Sequence, residues 1–432
     1  MIRVKTALLS SLVICSIVLS ALIIFGEPIS EGTDKVGQTW FGPKPGLHET
    51  SLPGRIYIFN PEEEAVLVET FSRMYSHLVL TMGQMDYSSA KGGDVWVAGE
   101  YNRNSLSSGV LFRYDYQISR GLLAKWLTLF YETDFPFAAI DGIFVPLDGG
   151  PVKFIDSHSG VLWQLQADLH LLVFQLAAEE SRNPSAGPMA LLESTEVYDV
   201  APGVFDLAAI QKISVPPCYR EDAKTDEIIR SFFLTHSIIQ EADGVKTYTD
   251  GFGALRIFAS GMMEYTAGTQ GNGAVFLDQP QLMQSSINFL SAHGGWPGSM
   301  LPVNLSYLGD SVGLEFASFA KGLPIVGENV GIAMEFQQGQ VSSYQRYLVV
   351  ETETEAETEF AEARPLGQHL ATETQVGQFF AEGRKKISDL APVFYLQQNR
   401  LIPAWRVATG DEVVYAAAGD GRILHISTLG GQ

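Results

Sequence analysis

Cysteine is scarce in this sequence, which limits how the fold can be held together. Only two of the 432 residues are cysteines, Cys15 and Cys218. Cys15 lies within a long apolar run near the N-terminus, so the two thiols are not expected to meet. The rest of the chain then has no internal disulfide and depends on buried apolar side chains, which its length permits. Because secreted eukaryotic domains are more often cross-linked, this favours a bacterial cell surface.

Basic side chains are also outnumbered. The chain has 28 Lys and Arg residues against 49 Asp and Glu residues, a net charge of −21 at pH 7. A protein this acidic is a poor candidate for binding nucleic acid or anionic lipid. Solubility explains the acidity most simply. The acidic segment at residues 351–362 is interpreted as a solvated strand edge or loop, because it lacks the spaced Asp, Asn and Gly residues of a calcium-binding loop.

Catalytic motifs are missing as well. The sequence contains no Gly-x-Ser-x-Gly elbow, no Walker-type loop and no His-Glu-x-x-His pair. Asp156 and His158 have metal-ligand chemistry but no identifiable third partner, so a structural or surface role is predicted. His293, in a turn-rich segment, is expected to end a helix. The sequence predicts no catalytic, metal-binding or cofactor-binding residues, and no enzyme. The alternative is a surface-anchored hydrolase whose site is assembled from distant acidic and histidine residues.

The most prominent feature present is an uncharged apolar run at residues 6–25. Its length matches the roughly 30 Å hydrocarbon core of a bilayer at about 1.5 Å per residue. Arg3 and Lys5 precede it, so residues 1–5 are expected in the cytoplasm and the bulk of the chain outside the cell. A cleaved signal peptide is the competing interpretation, but its apolar region is shorter and ends in small residues, where this chain has Ile24 and Phe25. We therefore predict a retained single-pass helix at residues 6–26.

One side of this helix is a candidate surface for a partner helix in the membrane. Its apolar residues recur at helical spacing, and a small-xxx-small pair lies beside them, which would let another helix approach closely. The predicted partner-binding residues are Leu8, Leu12, Cys15, Leu19, Leu22, Ser16 and Ser20. The simpler alternative is that this side faces lipid.

The remainder is predicted to be a multi-domain α+β region of antiparallel sheets with helices. Residues 27–53 are interpreted as a linker, 54–200 as an α+β domain, 201–277 as a helix with a β-meander, and 278–432 as a second α+β domain. Periodicity predicts helices at 62–80, 120–131, 225–240, 280–292 and 372–390. Asp148-Gly149-Gly150 predicts a hairpin turn. A loose repeat of a helix followed by strands recurs at 225–268 and 372–427.

Three stretches, taken with the N-terminal span, resemble one known family. They are DGVKTYTDGFGALRIFASGMMEY at 243–265, KGLP at 321–324 with GQV at 339–341, and LIPAWRV at 401–407. In this order they resemble the YycH family over most of the chain, with residues 55–193 matching only loosely. The last stretch also resembles YycI and PepSY-type domains. The resemblance implies that the last two domains are loosely PepSY/YycI-like.

The resemblance further implies a non-enzymatic regulator of a two-component sensor histidine kinase, YycG (WalK). Members of the family sit in the membrane of Gram-positive bacteria with a large extracellular domain. They act with the kinase and with YycI, largely through transmembrane helices, and adjust cell-wall metabolism. Whether the kinase is restrained or assisted, and which signal is sensed, stays open. Because PepSY-type domains suggest peptide contact, a peptide-binding or protease-inhibitory module is a third hypothesis, although Trp405 is predicted to lie in the core.

Overall fold

We describe the structure from a computed structural model of the chain. It describes residues 44–59, 64–85, 96–102, 105–127, 135–165, 173–175, 177, 188–195, 199–202, 204–220, 225–241, 244–268, 276–351, 359–382, 385–410 and 412–428. The predicted cytoplasmic tail, transmembrane helix and most of the linker lie outside these residues. Within the described part, no helix has both the length and the apolar character needed to cross a membrane.

Seven helices are labelled in the described residues. They are α1 Leu47–Thr50, α2 Arg73–Gly83, α3 Arg120–Trp126, α4 Thr225–Phe232, α5 Gln279–Ala292, α6 Leu366–Leu370 and α7 Gln375–Ala381.

The strands of the first half form mostly one sheet. They are β1 Arg55–Phe59, β2 Glu64–Val68, β3 Trp96–Glu100, β4 Gly109–Ser119, β5 Ala139–Pro146, β6 Val152–Asp156, β7 Val161–Leu165, β8 Pro188–Leu191, β9 Asp199–Val200 and β10 Phe205–Leu207. All but β9 join a nine-stranded sheet in the order β10-β8-β2-β1-β4-β5-β6-β7-β3.

The second half supplies another large sheet and two short ribbons. Its strands are β11 Gln211–Val215, β12 Cys218–Arg220, β13 Ser237–Gln240, β14 Lys246–Thr249, β15 Ala254–Ile257, β16 Met263–Thr266, β17 Met300–Leu308, β18 Ser311–Ala320, β19 Leu323–Val326, β20 Gly331–Gln337, β21 Gln340–Tyr347, β22 Val349–Glu351, β23 Glu359–Ala363, β24 Lys386–Ile387, β25 Asp389–Gln397, β26 Arg400–Ala408, β27 Glu412–Ala417 and β28 Ile423–Thr428. Thirteen of them form one sheet, β13-β14-β15-β16-β21-β20-β18-β19-β25-β26-β27-β28, with β17 paired to β18.

The thirteen-stranded sheet is built from meanders that meet at two joints. At the first joint β16 pairs antiparallel with β21, which sets Tyr265 opposite Tyr344. At the second, β19 pairs in parallel with β25 through Ile325 and Phe394. Strands from both sides of residue 277 therefore share one sheet. The repeated helix-and-meander pattern seen in the sequence corresponds to α4 with β13–β16 and α7 with β25–β28.

Strand β1 is buried on both faces, because the nine-stranded sheet lies between two layers. Ile56 and Ile58 join an apolar cluster with α2, α3 and α5. Tyr57 and Phe59 point the other way and join a second cluster with Trp405 and other residues of the C-terminal strands. Alternate residues of a strand face opposite sides, so a strand covered on both faces is apolar throughout. The core is thus shared between the two halves of the chain.

Several local predictions are confirmed. The helix predicted at 280–292 is α5, begun by Asp278, whose side chain accepts from the backbone N–H of Gln281 at 2.8 Å in a capping box. His293 ends that helix as its C-cap. The hairpin at 148–150 joins β5 to β6, with Gly149 at φ 83°. These features depend on interactions between residues a few positions apart, so the structure keeps them.

Three predicted helices are wrong over part of their length. Residues 62–80 divide into β2 and α2, separated by Phe71 at φ 67°, a value that interrupts a helix. The helix at 225–240 stops at Phe232, and β-branched Ile238 and Ile239 pair with β14 instead. The helix at 372–390 stops at Ala381, and Asp389 begins β25. In each case strand pairing outweighs local helical spacing.

Candidate functional site: a buried ion cluster between the two sheets

The predicted partner-binding surface of the membrane helix is not covered by the structure. Leu8, Leu12, Cys15, Ser16, Leu19, Ser20 and Leu22 lie outside the described residues. Their role stays a prediction, and the site described below comes from the part of the chain that the structure describes.

A buried guanidinium connects the two sheets. Arg55, at the start of β1, donates from Nη1 to Asp389 Oδ1 at 3.2 Å and from Nη2 to Asp389 Oδ2 at 2.8 Å. The same Nη2 lies 2.8 Å from Asp115 Oδ1 on β4, and Nη1 also donates to the carbonyl of Leu390 at 3.0 Å. The side chains of Arg55 and Asp115 are 5% and 7% exposed. Because water is nearly excluded, the attraction within these pairs is stronger than in a surface ion pair, while burial also removes the hydration of each charge.

A second guanidinium lies beside the first. Arg113 is directly opposite Arg55 in the β1–β4 register, so both side chains leave the same face of the sheet. Two neighbouring cations require compensation, and Arg113 Nη2 lies 3.2 Å from Asp141 Oδ2 on β5. Ser157 supports that carboxylate by donating its backbone N–H to Asp141 Oδ1 at 3.0 Å and its hydroxyl to Oδ2.

The cluster is completed from the C-terminal strands. Arg406 Nη1 on β26 lies 3.1 Å from Asp389 Oδ2. Burial by itself would raise the pKa of Asp389, but the guanidinium of Arg55, followed by those of Arg113 and Arg406, holds that pKa well below its usual range. Asp389 is therefore an anion at neutral pH and has no proton to donate.

We call the six residues Arg55, Arg113, Arg406, Asp115, Asp141 and Asp389 the ion cluster. Its three cations and three anions balance, which reduces the cost of burying each charge. Removing one member would leave a charge of the opposite sign buried and uncompensated. The arrangement therefore favours one relative placement of the two sheets, and the role of the ion cluster is structural.

A second junction is aromatic and lies between α4 and α5. The imidazole of His293 stacks on Phe232 with ring centroids 4.1 Å apart, and its Nδ1 is 3.0 Å from the hydroxyl of Ser231. Tyr265 stacks on the same Phe232 ring at 4.4 Å. Burial lowers the pKa of His293 to about 4, so the ring is neutral at neutral pH.

Asp206 on β10 joins the first half of the chain to α6. Its carboxylate accepts from the backbone N–H groups of Leu366 at 2.8 Å and Gly367 at 2.7 Å, and from that of Leu207 at 2.8 Å. Burial raises the pKa of Asp206 to about 6, and the three N–H donors oppose that rise. The residue lies 4% exposed, so it is a buried link between segments 160 positions apart.

Asp156 ends β6, and His158 lies in the turn that follows it. Asp156 accepts hydrogen bonds from the backbone N–H of His158 at 3.1 Å and from Gln117 at 2.9 Å, as a turn-forming residue does. Across the described residues, no three His, Cys, Asp or Glu side chains are grouped as metal ligands. Trp405 is in the core, 1% exposed, with Nε1 donating to the carbonyl of Arg364 at 3.0 Å. That prediction is confirmed.

The ion cluster was not foreseen from the sequence. The helical pattern predicted at 372–390 includes Asp389, and 334 positions separate Asp389 from Arg55. One signal was available, because Arg55 and Arg113 each adjoin a strongly apolar run, at 56–59 and 110–112 respectively. A charge in such a position is rarely buried unless it is paired. The partner could not be identified without the fold.

The two sheets and their helices define a sheet-rich, multi-domain α+β protein. The solved structure of YycH from Bacillus subtilis matches this architecture with a TM-score of 0.62 and 12% sequence identity, covering 90% of this chain and 98% of that chain. The chain therefore has the fold of YycH, as the sequence resemblance predicted.

Other comparisons add little to this result. The Bacillus megaterium YpeB C-terminal domain aligns with a TM-score of 0.27 and 11% identity over 49% of this chain and 99% of that chain, too weak a likeness to support an argument. No protein-family model matches the chain, and no curated protein does. The PepSY/YycI-like character of the last two domains stays a prediction.

Proposed function

We propose that this protein is a membrane-anchored, non-enzymatic regulator of a two-component sensor histidine kinase that controls cell-wall metabolism. It is held by a single span at residues 6–26, with its N-terminus in the cytoplasm and its bulk outside a Gram-positive cell. Its partners are a YycG/WalK-like kinase and a YycI-like single-span protein. The single observation that carries the proposal is the YycH fold, shared over 90% of this chain. The ordered sequence resemblance supports it independently.

In this proposal the protein acts on the kinase through direct contacts, and no substrate is converted. A receptor with two signalling states shifts between them when a partner helix prefers one state by a few kcal/mol. The face formed by Leu8, Leu12, Cys15, Leu19 and Leu22 supplies that preference in the membrane. The exterior adds its own contacts, and the ion cluster keeps its two sheets in one arrangement while it does so. A rigid exterior can bias the kinase as one unit.

Capture from native membranes tests the proposal. The tagged full-length chain, solubilised in mild detergent, is expected to retain a sensor kinase and a second single-span protein. The control is the same chain with residues 6–25 replaced by an unrelated apolar span, which should lose most of the kinase. If the wild-type chain retains neither protein under conditions that preserve known membrane complexes, the proposed function is wrong.

A further inference from the structure

Strand β13 forms one edge of the thirteen-stranded sheet. Among the described residues it pairs with β14 alone, from Ser237 opposite Thr249 to Gln240 opposite Lys246, without a register shift. Its four residues are all exposed and include no charge and no proline. Proteins commonly protect a sheet edge with such residues or with a bulge, because an open edge accepts another strand. The sheet can therefore be extended at β13.

The hydrogen bonding of the β13–β14 hairpin shows which backbone groups face outward. Glu241 donates its N–H to the carbonyl of Val245 at 2.9 Å, so residue 241 points its backbone groups toward β14. In an antiparallel pair this direction alternates along the strand, so residues 237 and 239 point the same way as residue 241. The N–H and carbonyl groups of Ile238 and Gln240 point away from β14. They are the groups that an incoming strand would use.

An apolar row of side chains on one face of the sheet runs out to this edge. The strand registers set Ile238 opposite Tyr248, and Tyr248 opposite Leu255. Tyr248 and Leu255 are buried in a cluster with α4, whereas Ile238 is 60% exposed. Leu234, in the connection between α4 and β13, is 77% exposed. The row thus ends in an uncovered apolar side chain, beside which a further strand would place one of its own.

Charge indicates the kind of strand that fits. Residues 225–268, which include α4 and β13–β16, carry six acidic and three basic side chains, a balance of −3. The whole chain carries −21. Two copies of this chain would therefore repel each other, whereas a cationic strand would be attracted. Because β13 has four residues, it offers few hydrogen bonds, and side-chain and charge contacts must contribute to the choice of partner.

We propose that β13 is a docking edge for an extended, cationic segment of another polypeptide, which adds as a further antiparallel strand. The segment places alternate apolar side chains on the face of Ile238. The residues that carry them also exchange backbone hydrogen bonds with Ile238 and Gln240, since directly opposite residues share both a face and their hydrogen bonds. The inference does not depend on the proposed kinase regulation, because it concerns an edge formed within the described residues.

A synthetic strand tests the proposal. Rhodamine-labelled Arg-Ile-Thr-Val-Thr-Ile-Arg-amide is titrated with the full-length chain in phosphatidylcholine nanodiscs, and binding is followed by fluorescence anisotropy against empty nanodiscs. N-methylation of the valine, whose N–H would face β13, should weaken binding about tenfold or more. N-methylation of one threonine, whose N–H would face away, should leave binding nearly unchanged. Equal effects of the two methyl groups, or no saturable binding of the parent peptide, would overturn the proposal.

Two variants and a second peptide locate the site and test its charge preference. Ile238→Thr should weaken binding severalfold, whereas Ile239→Thr, the same change on the opposite face at 53% exposure, should have little effect. The peptide with glutamate in place of both arginines should bind more weakly, and high salt should reduce the difference. Identical binding by the two variants, or equal binding of the two peptides, would rule the assignment out. A dimer of the chain in detergent that only Ile238→Thr dissociates, with no peptide binding, would assign the edge to a second copy instead.

Discussion

Arg55 and Asp389 form a bidentate ion pair between strands of two different sheets, 334 positions apart in the sequence. The Nη2–Oδ2 distance is 2.8 Å and the Nη1–Oδ1 distance 3.2 Å. Asp389 is 19% exposed, and Arg406 is its second partner. This pair links the first half of the chain to the last, so its loss should destabilise both sheets.

Replacing Asp389 by Asn should lower the free energy of unfolding by about 3–5 kcal/mol, because Arg55 and Arg406 would remain buried with less compensating charge. The double variant Arg55→Met with Asp389→Leu should recover part of that loss, since it removes both charges at once. The measurement is urea unfolding of the full-length protein in detergent, followed by tryptophan fluorescence.

An exposed pair provides the control for that experiment. Arg364 and Glu362 lie 2.9 Å apart with side chains 48% and 53% exposed. Glu362→Gln should change the free energy of unfolding by less than about 1 kcal/mol, since water screens such pairs. If Asp389→Asn lowers the free energy of unfolding by no more than this control does, the ion cluster does not hold the two sheets together.

His293 should make stability depend on pH in the acidic range. Burial lowers its pKa to about 4 from an ordinary value of 6.5, so between these values the unfolded chain binds more protons. The contribution of the neutral, buried His293 to the free energy of unfolding is fully present above about pH 6.5. It is lost as the pH falls through 4, by at most about 3 kcal/mol. His293→Gln should flatten this part of the curve of unfolding free energy against pH.

The matching control for His293 is Phe232→Leu, which removes the ring stack but keeps the buried imidazole. It should lower stability by a similar amount at every pH and leave the slope in place. A slope that disappears in both variants would mean that the stack, and not the titration of His293, governs the acid response.

Asp206 should act in the opposite direction. Its pKa is raised by burial to about 6 from an ordinary value of 3.8, so in that window the folded state binds more protons. This contribution to stability is fully present below about pH 3.8 and is lost as the pH rises through 6. Asp206→Asn should therefore remove a contribution to the free energy of unfolding that grows as the pH falls. The measurement is the difference in unfolding free energy between pH 4 and pH 7. An unchanged difference would show that the three N–H donors offset the effect of burial.

The proposed contact face can be tested by comparing two sides of the predicted transmembrane helix. Changing Leu8, Leu12 and Leu19 to Ala should alter kinase output in cells, because these residues belong to the proposed contact face. Changing Ile14, Ile17 and Ile24 to Ala alters a comparable number of apolar side chains away from the proposed face and should leave output near wild type. Membrane levels of each variant are measured by immunoblot. Equal effects from the two sides would argue against a specific face.

Much of the local structure could be predicted because its causes are local. The capping box of Asp278, the glycine turn at Gly149 and the helix end at His293 each involve residues only a few positions apart. The YycH-like fold was also predicted, from ordered stretches of sequence that the structural likeness confirms. Predictions failed where a local pattern suited two structures, as at Ile238, which reads as part of a helix but pairs with Tyr248 on β14.

The sequence by itself determined the charge balance, the lack of disulfides outside the N-terminal run, and the positions of many turns and of α5, because composition and short-range hydrogen bonding need no distant partner. Only the tertiary structure decided that Arg55 meets Asp389 and that Asp206 holds α6. Those contacts join segments more than a hundred positions apart. Their pairing depends on sheet order and strand register, which the packing of the whole chain sets.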